Sequence, residues 1–221
     1  MPSAASLAVV VAAVLAALTR WWLARLPEPA EPDDDKVPYA RLAEPPFLAL
    51  LCAIGAAVLA AVAVWQLPQP LVPVWTLLAA MTPVLAYIDA RTHLLPFLMV
   101  APLYVATWLL TVAVAWSGDD WTIARDALVG NVVVFAAFVL LYIVAGRFFA
   151  GGFGYGDVRL SAVLGVALGP LGLTASFVGL YAGFVIAAVA GIVRNRGRVR
   201  GGPPIAFGPA MLVGAFVGTF V

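Results

Sequence analysis

The chain alternates between long apolar runs and short polar breaks. Five runs are nearly free of charge and rich in Ala, Leu and Val; they cover residues 3–26, 47–66, 71–88, 95–116 and 127–149. An α-helix needs about 20 such residues to cross a bilayer. None of the runs shows the two-residue alternation of a transmembrane strand. The pattern therefore predicts membrane-spanning helices.

The last third of the chain is less regular. An apolar stretch over 158–193 is interrupted by Gly169-Pro170-Leu171-Gly172, and a final run covers 204–221. The part before the interruption would form roughly 16 Å of helix, too short for a hydrocarbon core of about 30 Å. Basic residues flank both ends of 158–193, so the positive-inside rule favours a short helix and a longer returning helix over one crossing. The prediction is an all-α, polytopic membrane protein with about eight transmembrane segments.

Composition agrees with this pattern. The 221 residues are 64% hydrophobic and 10% charged, and the mean hydropathy is +1.06, whereas soluble domains carry about 25% charged residues. The lipid bilayer is thus an expected partner, and a net charge of +1 gives no reason to expect nucleic acid. Cys52 and His93 are the only residues of their types. They exclude an intrachain disulfide and metal sites built on Cys or His clusters.

Basic residues predict the orientation. With both termini outside, eleven of the twelve fall at cytoplasmic ends, and Arg125 is the exception. Run 3–26 carries Arg20 and Arg25 at its far end, whereas a signal peptide begins with its positive charge. We expect a retained span; a cleaved signal is the alternative. Residues 27–46 are predicted as a short cytoplasmic linker, and 47–221 as the core of a single integral-membrane domain, 1–221.

Two acids stand out by their position. Nine of the eleven acids lie in polar loops, whereas Asp89 and Asp157 adjoin long apolar runs, where an acidic side chain is a functional candidate. The glycine-rich segment 151–156 precedes Asp157; glycine permits positive φ and close approach of another backbone. Two neighbouring carboxyls would share one proton and could act as general acid and general base in hydrolysis. The plainer alternative is that each acid pairs at a helix end with Arg91 or Arg159.

Three motifs resemble those of the prepilin peptidases, the type IV leader peptidases of the GxGD membrane aspartyl protease group. They are Asp89-Ala90-Arg91-Thr92-His93-Leu94-Leu95-Pro96, Gly151-Gly152-Phe153-Gly154-Tyr155-Gly156-Asp157-Val158-Arg159-Leu160, and Phe207-Gly208-Pro209. The resemblance implies a catalytic pair, Asp89 and Asp157, and a substrate loop that comprises Gly151, Gly152, Gly154, Gly156 and Arg159. We expect no cofactor, and no metal, because a single histidine cannot supply a zinc ligand set.

The resemblance also implies a substrate and a location. Members of this family cleave the basic leader from type IV prepilin-like precursors (pilin, pseudopilin or Flp-type). The expected setting is the bacterial inner membrane, with the active site facing the cytoplasm. Which precursor is cut and the oligomeric state stay open.

The chain departs from the family at several positions. Many members carry a cytoplasmic domain with two CxxC pairs after the first span and also methylate the product; here only 27–46 occupies that place. We therefore expect no N-methyltransferase activity. Arg159, Phe97 and Ala206 stand where Lys, Asn and Pro are usual. The other functional classes are a small proton- or cation-coupled transporter that uses both acids, and a catalytically silent assembly factor.

Overall fold

The secondary structure is helical throughout the described part of the chain. The computed structural model describes residues 3–28, 37–148, 154–195 and 206–221, and no strand occurs in these ranges. The predicted all-α class is confirmed. Contacts divide the chain into two compact units, Met1–Thr92 and His93–Val221.

The described residues of the first unit form three long helices and one short helix. They are α1 (Ala4–Leu23), α2 (Tyr39–Leu42), α3 (Leu48–Gln66) and α4 (Val72–Thr92). A 3₁₀ turn at Gln69–Leu71 connects α3 to α4. This short connection makes α3 and α4 an antiparallel pair, and Gly55 of α3 faces Pro83 of α4: a Cβ at Gly55 would lie 3.2 Å from the proline Cγ.

Helix α4 forms the centre of the first unit. In the apolar part of Gln69–Thr92, which contains α4, 72% of the residues are buried. The corresponding shares are 17% for α1 and 28% for α3. Both α1 and α3 pack against α4 and against each other. The outer faces of α1 and α3 are apolar and exposed, as expected for helices that meet lipid.

Basic side chains gather at one end of the first unit. The Arg20 Nε donates a 2.8 Å hydrogen bond to the main-chain oxygen of Ala43, so the end of α1 lies beside the segment that leads into α3. Because α3 and α4 are antiparallel, this is also the end at which α4 finishes. Arg20, Arg41 and Arg91 therefore share the end that carries Asp89.

Five helices are present in the described part of the second unit. They are α5 (Phe97–Ser117), α6 (Thr122–Phe148), α7 (Tyr155–Leu168), α8 (Leu173–Arg194) and α9 (Gly208–Val217). Short 3₁₀ turns at Gly169–Leu171 and Gly218–Phe220 follow α7 and α9. Helix α7 is the most enclosed of the five, since ten of its 14 residues are buried.

Glycines set the close packing of α7 on α6. A Cβ at Gly169 would run into the main-chain oxygen of Asp126, and a Cβ at Gly165 would lie 2.8 Å from that of Gly130. The later residue of α7 thus meets the earlier residue of α6, so the two helices are antiparallel. Gly165 and Gly169 are four residues apart, a spacing that is typical of closely packed membrane helices.

The interruption after α7 reverses the chain. Gly172 has φ 95°, in the left-handed region that favours glycine, and α8 begins at the next residue. The ring of Phe184 in α8 stacks on Phe138 in α6 at 6.1 Å between centroids. Helix α8 therefore runs alongside α6 and opposite to α7. The sequence predicted this short helix and longer returning helix.

Six segments of the described chain are long and apolar enough to cross a membrane. They are α1, α3, Gln69–Thr92, α5, α6 and α8, whereas Gly208–Phe220 is a shorter apolar helix. At roughly 21 Å, α7 is also shorter than a hydrocarbon core of about 30 Å. The total of eight transmembrane segments and the placement of the termini stay predictions.

Candidate active site

Asp89 lies in the last turn of α4. Its side chain is 4% exposed, although the residues just after it are at the surface. The helix continues beyond Asp89 to Thr92, whose hydroxyl donates a 2.9 Å hydrogen bond to the Ile88 carbonyl. His93 then adopts φ 54°, a left-handed conformation typical of the residue that closes a helix. The sequence placed Asp89 at the end of an apolar run; the structure places it one turn inside the helix.

Asp157 lies in the first turn of α7. Gly154 is the N-cap, and the Asp157 amide donates a 3.1 Å hydrogen bond to the Gly154 carbonyl. The side chain is 8% exposed. The amino end of a helix carries a partial positive charge that stabilises a carboxylate in this position. Asp157 is therefore a nearly buried acid at the amino end of a helix.

Asp157 is recessed within the second unit. The neighbouring Tyr155 ring contacts the Tyr142 ring of α6 at 5.6 Å between centroids. Helix α6 continues for six more residues to Phe148, which adds about 9 Å. The carboxyl therefore lies below the end of α6, at the same end of the unit as Arg147 and Arg194.

The two described glycines of the predicted loop do not need positive φ. Gly154 is extended, with φ −70° and ψ 136°, and Gly156 is already part of α7; Gly172 is the glycine with positive φ in the described ranges. Gly154 and Gly156 therefore do not use the positive φ that glycine permits. Both have close neighbours instead: a Cβ at Gly154 would lie 3.2 Å from the Asp157 Oδ2, and one at Gly156 would lie 3.1 Å from the Leu95 Cβ. Gly151 and Gly152 lie outside the described residues.

Arg159 points away from Asp157. Two residues along an α-helix correspond to about 200° of rotation, so the two side chains leave α7 on opposite faces. The Arg159 guanidinium carbon lies 4.5 Å from the Tyr155 ring centroid and 4.8 Å from that of Phe97. The alternative in which Asp157 pairs with Arg159 is therefore not supported by the helix geometry.

The third motif begins α9. Phe207 is its N-cap and Pro209 lies in its first turn, where the missing proline N–H has no helical partner. The Phe207 ring lies 4.9 Å from the Phe184 ring and 6.2 Å from the Phe138 ring. These contacts attach the motif to α6 and α8. Sequence reasoning missed this aromatic cluster, because its members are more than 20 residues apart and differ in no way from other apolar positions.

Asp89 belongs to the first unit and Asp157 to the second. Each is a buried carboxyl on the most buried helix of its own unit, at the end where basic side chains gather. In the described ranges, no group of three or more His, Cys, Asp or Glu side chains converges in a way that could hold a metal ion. The meeting of the two acids stays a prediction.

Comparison with known proteins identifies the family. The model of the type IV leader peptidase family matches residues 75–193, more than half of the chain. The matched range runs from within α4 to within α8 and includes both acids and the glycine-rich segment. Comparisons with curated proteins and with solved structures found no significant match. The extent of the family match shows that this chain belongs to the type IV leader peptidase family, whose members are proteases.

Proposed function

We propose that this protein is a membrane aspartyl endopeptidase in which Asp89 and Asp157 act as one catalytic pair. The observation that carries the proposal is the burial of both carboxyls, 4% and 8% exposed, within a family of proteases. Acidic side chains in a membrane protein are costly and usually functional. Family membership favours proteolysis over the transporter alternative.

The proposed chemistry is general acid–base hydrolysis. Two carboxyls brought within a few ångströms share one proton, because both cannot be ionised at that distance. The ionised member takes a proton from the attacking water, and the protonated member donates to the oxygen of the scissile carbonyl. The roles belong to the pair and are not divided between the two residues.

The proposed substrate is a type IV prepilin-like precursor, cut between its basic leader and its apolar helix. Asp89 lies at the same end of its unit as Arg20, Arg41 and Arg91, and Asp157 at the same end of its unit as Arg147 and Arg194. By the positive-inside rule, such ends face the cytoplasm. We therefore propose cleavage at the cytoplasmic face of the inner membrane.

The proposed pair is tested by Asp89→Asn and Asp157→Asn in a reconstituted cleavage assay. Each amide keeps the shape of the carboxyl but removes its proton chemistry, so each variant should cleave a cognate precursor at less than about one hundredth of the wild-type rate. Size-exclusion profiles and melting temperatures show whether the variants remain folded. A folded variant that cleaves normally would rule out the pair.

Two controls accompany these variants. Asp126→Asn changes an exposed acid that forms a 2.9 Å salt bridge with Arg125 at the opposite end of the second unit, and it should leave cleavage unchanged. EDTA should also have no effect, since the pair needs no metal. Inhibition by the chelator that added zinc reverses would contradict the aspartyl mechanism.

A further inference from the structure

The second unit has an open groove of about 450 Å³ between α5, α6 and α7. We call it the Arg159 groove; its lining includes Phe97, Tyr104, Val105, Phe135, Tyr155 and Arg159. We propose that the Arg159 groove binds an anionic phospholipid, with an acyl chain in the groove and the phosphate on the Arg159 guanidinium. The proposal concerns a lipid site and does not depend on proteolysis.

The walls of the groove suit an acyl chain. Val100, Ala101 and Val105 from α5 and Phe135 from α6 give it an apolar lining. Val105 is 54% exposed, although it lies in the middle of a helix that is long and apolar enough to cross a membrane. An exposed apolar groove at this depth meets hydrocarbon and not water. The volume falls within the range of about 300–1,000 Å³ found for ligand sites.

One cation lies in this apolar groove. The Arg159 guanidinium is half-buried and is held between the rings of Phe97 and Tyr155. In the described part of the chain, no carboxylate forms a salt bridge with it. A charge in an apolar setting is stable only with a partner, and a planar guanidinium forms paired hydrogen bonds with phosphate oxygens. The two rings fix the plane of the guanidinium for such a contact.

The groove lies at the end of the unit where a headgroup would be. Arg159 is near the start of α7, at the end that also carries Arg147 and Arg194, whereas Val105 and Asn131 lie deeper. A lipid would thus place its phosphate near the basic end and its chain towards the middle of the unit. Basic pockets between transmembrane helices are known sites for anionic headgroups.

A segment of a protein substrate fits the groove less well. Tyr155, Arg159 and Ala162 line it from one face of α7, whereas Asp157 leaves the same helix on the opposite face. A chain extended across Asp157 would have to pass around α7 to enter the groove. The basic leader of a precursor would also be repelled by Arg159. Charge complementarity therefore favours an anionic lipid.

The test is a lipid titration of the full-length, delipidated protein followed by native mass spectrometry. Phosphatidylglycerol should bind to the wild type and should bind about tenfold more weakly to Arg159→Gln, because the variant loses the charged hydrogen bonds. Arg147→Gln removes an exposed cation at the same end of the unit and should bind like the wild type. Phosphatidylcholine, which has no net charge, should bind more weakly than phosphatidylglycerol to the wild type.

A second variant tests the groove without changing the cation. Ala101→Phe places a ring among the apolar walls and should exclude the acyl chain, so phosphatidylglycerol binding should fall although Arg159 is present. This variant decides the outcome if Arg159→Gln does not fold. Glycerophosphoglycerol, the headgroup without chains, should not displace the lipid.

Three results would overturn the proposal. They are equal binding of phosphatidylglycerol by wild type and a folded Arg159→Gln, unchanged binding by Ala101→Phe, and equal affinity for the two lipids. Displacement of bound lipid by the apolar segment of a precursor would assign the groove to the substrate instead. Displacement of bound lipid by glycerophosphoglycerol alone would show that the Arg159 groove binds an anion but no acyl chain.

Discussion

The side-chain amide of Asn131 donates a 2.8 Å hydrogen bond to the main-chain carbonyl oxygen of Ala162. This bond connects α6 to α7 five residues after Asp157. The Asn131 Oδ1 accepts a 3.2 Å hydrogen bond from the Tyr104 hydroxyl of α5. One amide therefore joins three helices of the second unit and helps to fix the position of α7 along α6.

We expect Asn131→Leu to destabilise the protein by about 1 kcal/mol, the usual magnitude of a hydrogen bond between membrane helices. Cleavage should fall as well, because α7 carries Asp157. Unfolding in mixed micelles with increasing SDS measures the stability. Tyr104→Phe removes only the longer bond and should have a smaller effect. Equal SDS midpoints for wild type and Asn131→Leu would show that the amide does not support α7.

Gly154→Ala should reduce cleavage with little change in stability. The extended backbone of Gly154 is accessible to alanine, so folding is not opposed. The new methyl group, however, would lie 3.2 Å from the Asp157 Oδ2 and would turn the carboxyl. A displaced catalytic group lowers the rate by about 10- to 100-fold. Rate and melting temperature should be measured on the same preparation.

Gly146→Ala is the matched control for Gly154→Ala. Gly146 lies near the end of α6, and a Cβ there would meet no atom within 4 Å. Alanine should leave cleavage unchanged and stabilise the helix by about 0.5–1 kcal/mol. If both glycine variants lose activity equally, contact with Asp157 is not the cause.

Gly169→Ala should destabilise the fold. The added methyl group would collide with the main-chain oxygen of Asp126 and lie 2.9 Å from the Ala127 Cα. Backbone atoms cannot rotate away, so α6 and α7 must separate, at a cost of about 1–3 kcal/mol. The yield of monodisperse protein and the melting temperature measure this. Gly118→Ala, whose added Cβ would lie 3.4 Å from the Val114 carbonyl oxygen, should fold like the wild type.

The cleaved product should keep an unmethylated N-terminus. Family members that methylate often carry two CxxC pairs in a cytoplasmic domain, whereas this chain has one cysteine, Cys52, and only residues 27–46 at that position. Mass spectrometry of product formed by the purified protein with S-adenosylmethionine decides the matter. A mass gain of one methyl group would contradict the prediction.

Hydropathy predicted the helices well, because a long apolar run in a membrane has few structures other than a helix available to it. The run over 47–66 became Leu48–Gln66, and the short run over 158–168 became Tyr155–Leu168. The break at Gly169-Pro170-Leu171-Gly172 was also recognised, since proline and glycine interrupt helices by a local mechanism. These features depend on neighbouring residues and can be read from one segment at a time.

The site was less accessible to sequence reasoning. The glycine-rich stretch before Asp157 suggested a turn that would continue to the acid, but α7 begins at Tyr155 and includes Gly156. The resemblance placed Arg159 in the substrate loop, and the plainer alternative paired it with Asp157, whereas in the structure its guanidinium lies over the Phe97 ring. The partner of Gly165 also went unrecognised: Gly130 lies alone in an apolar run, and only packing shows that the two meet. Contacts between distant segments leave no local signal.

The shortness of α7 has a consequence for the assembly of the protein during synthesis. Helix α7 has 14 residues, spans roughly 21 Å and carries two charged side chains, so it is a poor stop for a translocating chain by itself. Helix α6, which packs closely on α7 through Gly130, emerges from the ribosome first. Helix α8 follows α7 after one tight turn. We infer that α7 enters the bilayer as half of a hairpin with α8, against an α6 that is already inserted. We therefore expect the helix that carries Asp157 to reach its position through tertiary contacts, with its insertion coupled to its folding.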